Sequence, residues 1–214
     1  MSSSTVDIVN LAYALIGHEA NVVSISPPDT TAEASHAARF FPMCRDEVLE
    51  AHAWSFATRR TQLANITNEF THWGLAYAYP TLCLRPLAVF LPGELDDTRG
   101  QPFEIAGDSL GNVVVLTNAT DAVMKYIHAV SDTAKYPPAF ITALAWLLAS
   151  RLAGPVAKKP DIVAGAYQQH QIALAKAVAL DMAGRKTAVF KNFVPGHLAV
   201  REGVGASSVL GRDS

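Results

Sequence analysis

The chain has 214 residues, half of them from the set AVILMFWYC and 17% charged, which excludes a disordered tract and supplies material for a real core. Its formal charge of −2 is uneven: residues 1–184 carry 12 Lys and Arg against 17 Asp and Glu, and residues 185–214 carry 5 against 2. An acidic body repels a phosphate backbone, which argues against a duplex-reading domain.

Two cysteines, Cys44 and Cys83, stand in no CxxC or Cys/His arrangement, so they read as free thiols rather than a disulfide framework or a zinc site. Residues 1–7 lack the basic and apolar regions of a signal peptide. The longest apolar run, Ala139 to Ala149, is shorter than the roughly 20 residues that cross a bilayer. The expectation is a protein made in a cytoplasm, with no membrane partner.

In chain order, Val6 to Ile16 reads as a short helix, with Ile8, Leu11, Ala12 and Leu15 on one face and Gly17 as its stop. Val22 to Ile25 is a brief extended piece closed by Pro27-Pro28. Thr30-x-x-Glu33 has the form of a capping box and predicts a second helix through Ala34, Ala37, Ala38 and Phe41 to Ala53, with a kink or break near Phe41 because Pro42 lacks an N–H. From Trp54 to Thr120 the pattern becomes short apolar runs between prolines and glycines: Leu75–Tyr79, Leu82–Leu91, Phe103–Ala106 and Val113–Thr117, with Val123–Val130 just beyond. Leu110-Gly111-Asn112 marks a turn in front of Val113, and together the runs predict a small antiparallel sheet or sandwich.

Pro137-Pro138 opens a third helix bearing Phe140, Ala143, Leu144, Leu147 and Arg151, with Gly154-Pro155 as its predicted end. Pro160-Asp161 opens a fourth, carrying Val163, Ala166, Tyr167, His170, Leu174, Ala177 and Asp181 on one side before Gly184. Its many alanines permit close approach, which predicts a place inside a bundle. The class expected is therefore α+β: a helical bundle from residues 1–53 and 137–184, a β-rich insertion at 54–136, and an extended C-terminal arm at 185–214.

Candidate chemistry is thin. His18-Glu19 lacks the second histidine of a zincin helix, and neither His52 nor His72 has a second ligand at a suitable spacing. There is no G-x-S-x-G elbow, and Gly203-Val204-Gly205 lacks the third glycine of a dinucleotide loop. Asp46, Glu47 and Glu50 beside Arg45 read as a solvated helix face, and Asp96-Asp97 as a plain turn. No catalytic residue, cofactor or metal is assigned.

The order of signals resembles the tail tubular protein A family, the head-to-tail adaptors of tailed bacteriophages. The resemblance covers about residues 6–184. It begins with Ala14-Leu15-Ile16-Gly17 and Ser24-Ile25-Ser26, then Arg45-Asp46-Glu47-Val48-Leu49 followed by Trp54-Ser55-Phe56-Ala57-Thr58-Arg59-Arg60 and Leu63-Ala64. Trp73 and Tyr77-Ala78-Tyr79-Pro80 follow, then Tyr126-Ile127, Tyr136-Pro137-Pro138-Ala139-Phe140, Leu152-Ala153-Gly154-Pro155 and Tyr167. The Trp-Ser-Phe-Ala run after the Arg-Asp-Glu-Val-Leu helix is the specific element.

The resemblance implies a structural virion protein at the head-tail junction, assembled in the bacterial host cytoplasm and without catalysis. It implies a ring of twelve subunits between the portal protein and the next tail component, a nozzle or tail tube protein. Double-stranded DNA would pass through the channel without specific binding. Trp54, Phe56 and Trp73 are expected as a structural junction of large aromatics. The basic C-terminal arm, with Arg185, Lys186, Phe190, Lys191, Phe193 and Arg201, is expected to dock on the portal. Two rival readings are a small cytoplasmic enzyme without a local motif and a DNA-binding protein that uses this arm.

Overall fold

A computed structural model describes residues 4–185 apart from Ala20 and Lys158. The chain divides into two compact units, residues 1–184 and 185–214, and the description below concerns the first. It is an α+β protein, as its sequence predicts. The expected arm lies outside the described residues except for Arg185.

Helix α1 spans Thr5–Leu15 and begins with a true capping box, Ser4 and Asp7 each bonding the other's backbone N–H. It buries Ile8, Val9, Ala12 and Tyr13. Helix α2 spans Ala32–Ala51, and its N-cap is Thr31, not the Thr30 expected. Asp29 decides this: its carboxylate accepts the Thr31 N–H at 2.9 Å and the Val23 N–H at 3.0 Å, which fixes Thr31 to accept from Ala34. The Thr31 hydroxyl, which also donates to Asp29, and then these backbone bonds hold the Asp29 carboxyl down at about 2. Glu33, freed from the cap, lies 3.3 Å from His18 instead.

Of the kink or break expected near Phe41, the break is absent: α2 runs through Pro42 without interruption. Proline removes the bond to the Ala38 carbonyl. Ala38 and Pro42 both line an open depression of about 600 Å³, so water can reach that carbonyl.

The strands are β1 Thr58–Gln62, β2 Asn65–Ile66, β3 Leu75–Ala78, β4 Cys83–Phe90, β5 Phe103–Gly107, β6 Val113–Thr117 and β7 Val123–His128. They form two antiparallel sheets, ordered β1-β7-β4 and β2-β3-β6-β5. Strands β3 to β7 fall where the apolar runs predict. β1 and β2 were not predicted, because Thr-Arg-Arg-Thr-Gln has no apolar alternation and β2 is only two residues long. Between β5 and β6, Gly111 takes a φ of +83° that only glycine adopts freely, and Asp108 accepts the N–H groups of Leu110 and Asn112 to close the turn.

Alternation along β7 explains how the layers stack. Ile127 joins the helical core with Leu84 and Leu87, while Met124 and Tyr126 meet Tyr77, Val89 and Val115 in a core between the sheets. The outer face of the second sheet, with Ala76, Val114 and Leu116, is capped by Phe70 and Trp73. The three-stranded sheet is thus sandwiched between the helices and the four-stranded sheet.

A 3-10 turn at Thr133–Lys135 leads into α3, Pro138–Ala157. This helix packs against α1, α2 and the fourth helix, and buries Ala143, Leu144, Ala145, Leu147, Leu148, Ala149, Leu152 and Ala153. It continues past Gly154-Pro155, correcting the predicted end; the carbonyl that Pro155 leaves unbonded belongs to exposed Arg151. The expectation that no stretch is long enough to cross a membrane is also corrected. Pro138–Val156 has the necessary length and apolar composition, because Thr142 and Ser150 do not offset the apolar residues around them. Over half of that stretch is buried in the protein, as in a core helix.

Helix α4 spans Pro160–Ala183 and ends at Gly184, whose N–H bonds Leu180. It is not interior. Ala166, His170 and Ala177 are buried, with the His170 Nδ1–H donating to the Ala143 carbonyl at 2.9 Å, but Tyr167, Ile172, Leu180 and Met182 are exposed. Alanines on one side allow α4 to lie close to α3; the opposite side has no partner within the described residues.

Candidate functional site

The segment after α2 turns the chain from the helical layer into the sheets. His52 leaves the helix in an extended conformation, and Trp54 follows at 1% exposure. The Trp54 indole Nε1–H donates to the Val48 carbonyl at 2.8 Å, which satisfies the ring's polar atom while its faces stay in the core. Phe140 of α3 meets Trp54 edge-on at 5.2 Å and Phe56 at 5.0 Å, and Tyr136 packs on both phenylalanines. Tyr136 donates its hydroxyl to the Val130 carbonyl at 2.5 Å, and burial pushes its phenol up to about 12. Trp54 and Phe56 thus lie between the end of α2 and the start of β1, packed on Phe140 of α3.

Trp73 does not join them. It caps the outer face of the second sheet, and its Nε1–H donates to Glu104 of β5 at 2.8 Å. The strands carry it away from the helices, a separation that the residue type could not reveal. Among the arm residues, Arg185 is exposed, while Lys186, Phe190, Lys191, Phe193 and Arg201 lie outside the described residues.

Beside the junction, Asp181 near the end of α4 gathers three donors. Its carboxylate lies 3.1 Å from His52 Nε2, 3.0 Å from the Ser55 N–H and 2.5 Å from the Ser55 hydroxyl. A depression of about 440 Å³ opens next to it, lined chiefly by Trp54, Pro137, Phe140, Ala177 and Leu180. Serine, histidine and aspartate thus meet beside an apolar pocket. Their order is wrong for a nucleophile, since hydrolytic catalysis places the imidazole between hydroxyl and carboxylate. Here the carboxylate stands between, so the group is a clasp tying α4 to the helix–strand joint. The 129 residues separating His52 from Asp181 kept it out of reach of any local motif.

A second polar cluster fastens the loop between β4 and β5. Asp97 accepts from Lys125 of β7 at 2.6 Å and from Arg60 of β1, whose guanidinium also sits 4.5 Å over the Phe90 ring. Lys125 and then Arg60 hold the Asp97 carboxyl below its ordinary value. On α2, Arg45 bonds Asp46 and Glu47 meets Arg151, so these carboxylates form a paired outer face. Among the described residues no three metal-ligating side chains stand together.

The sheets differ in charge. Strands β1, β4 and β7 hold Arg59, Arg60, Arg85 and Lys125 and no carboxylate. The strands of the second sheet and the β2–β3 and β5–β6 loops within it hold Glu69, Glu104 and Asp108 and neither Lys nor Arg. Large apolar side chains are bare on two loops, Leu95 between β4 and β5 at 86% exposure and Leu110 between β5 and β6 at 84%. No protein family and no curated protein matches the chain.

Proposed function

We propose that the chain is a structural subunit of a tailed-phage head-to-tail adaptor, a ring of twelve copies between the portal and the next tail component. The observation that carries this reading is the Arg45–Leu49 and Trp54–Arg60 succession, the most specific part of the resemblance. These residues have a mechanical task in the fold: they end α2, seat Trp54 in the core and start β1. A ring subunit transmits load between partners above and below it, and a joint of interlocked aromatics with a carboxylate clasp resists bending between its layers.

Two further features support the reading. Exposed apolar side chains on the loop tips and on α4 suit a surface that neighbours cover. The acidic second sheet suits a channel that lets DNA pass, because a wall that binds phosphates gains counterion-release energy and slows the polymer. The basic segment 185–214, with Phe190 and Phe193, is assigned to the portal side, where its charge would steer it to an acidic face and its aromatics would supply holding energy.

The test is native mass spectrometry and negative-stain imaging of the full chain, alone and with a phage portal ring. The expected result is a twelve-fold ring with an open channel, free or seated on the portal. A chain that stays monomeric in both conditions overturns the proposal.

A further inference from the structure

We infer that neighbouring copies join edge to edge, the β5 strand of one copy pairing with the β1 strand of the next. The inference rests on the ring reading and names the surface that would close it.

Both strands are sheet edges. Among the described residues β1 pairs only with β7, and β5 only with β6, so each presents one side of backbone groups without a strand partner there. The two edges lie on opposite flanks of the sandwich. Only Leu63 and Ala64 separate β1 from β2, and their backbones are engaged by Ala122 and Ala78, which puts those two strands on one flank. Val89 of β4 bridges Gln101 at the entry to β5, which puts β4 and β5 on the other. Edges on opposite flanks of one molecule make a heterologous contact, each copy offering its β5 to the β1 of the next. Such a contact repeated closes a ring when the rotation per copy permits.

Charge selects the partner. At the β1 edge Arg59 is exposed and forms no salt bridge among the described residues, while Arg60 beside it is already held by Asp97. At the β5 edge Glu104 is exposed, in a sheet with no cation, and its one described bond goes to the neutral Trp73 indole. Pairing two β5 edges or two β1 edges would set like charges together, whereas β5 with β1 sets Glu104 near Arg59. Opposite charges on the two edges thus admit the head-to-tail pairing and oppose both symmetric ones. Ile105, exposed next to Glu104, adds apolar surface that the same pairing would cover.

The experiment is a charge exchange on the full chain, read by sedimentation velocity and native mass spectrometry, with circular dichroism as the folding control. Arg59→Glu and Glu104→Arg alone should each raise the half-assembly concentration by about tenfold or more, and the double exchange should bring it back towards the parent value. Should Glu104→Arg unfold through loss of the Trp73 bond, Glu104→Gln keeps an acceptor for that indole, and with Arg59→Gln it is expected to weaken assembly in the same direction. Single variants that assemble like the parent, or a double exchange no better than the singles, overturn the edge pairing and leave the ring reading standing. A parent chain that assembles neither alone nor with a portal ring overturns both.

Discussion

Trp54 meets two demands that usually conflict: a large ring fully out of water, and an indole N–H with a partner. The Val48 carbonyl supplies the partner one turn back along α2, and Phe140 closes the ring's edge. Trp54→Ala should therefore cost about 3–5 kcal/mol in urea denaturation, the range for emptying a buried aromatic site. An unchanged midpoint would show that the ring adds nothing to the core. Asp181 is placed against the helix dipole, since a carboxylate in the last turn of α4 faces the negative end. What keeps it there is the trio of donors from His52 and Ser55. Asp181→Ala should lose about 1–3 kcal/mol by stranding those donors, and Asp181→Asn less, because the amide oxygen still accepts. The thiols are expected to separate by burial. Cys44 is buried and its thiol is pushed up to about 12 by desolvation, so a thiol reagent should modify Cys83 first and reach Cys44 only on unfolding.

Among the elements, α2 is continuous despite Pro42, but the missing bond and the ring remain a cost. Pro42→Ala should raise the melting temperature, corresponding to about 1–3 kcal/mol, the helix gain outweighing the extra freedom of the unfolded chain. The β4–β5 loop is held to its sheet through Asp97, whose folded value lies below its ordinary one because of Lys125 and Arg60. As pH falls, the unfolded chain takes up this proton first. The contribution is thus complete above the ordinary value of 3.8 and is lost as pH drops through the lowered folded value. Asp97→Asn should flatten that part of the acid-denaturation curve, measured from about pH 5 to pH 2.

For the molecule as a whole, the three layers depend on β7, which offers Ile127 to the helices and Met124 and Tyr126 to the second sheet. The helices and the inserted strands consequently share a core, and residues 1–184 behave as one compact unit. Assembly through opposite charges on the sandwich flanks should also respond to salt. Rings of the full chain are expected to loosen between about 0.1 and 1 M salt, where the screening length shrinks from about 10 Å to 3 Å. Sedimentation at the two salt concentrations checks this, and an unchanged ring would point to contacts dominated by apolar surface.

What the sequence determined by itself is what local chemistry and periodicity determine. The apolar spacing located α1 to α4, the short apolar runs between prolines and glycines located β3 to β7, and Gly184 marked the end of α4. Trp54 and Phe56 could be assigned to the junction because the pattern changes from helical to extended there. The tertiary structure decided the rest. β1 exists because β7 pairs with it, not because Thr-Arg-Arg-Thr-Gln favours a strand. Thr31 became the cap of α2 because Asp29 reaches it, and Trp73 went to the far sheet because it sits on the loop between β2 and β3. The clasp of His52, Ser55 and Asp181, and the opposite flanks occupied by β1 and β5, arise from contacts between segments far apart in the chain. Local preference is set within a few residues of backbone, whereas pairing, burial and charge placement depend on which distant segment arrives alongside.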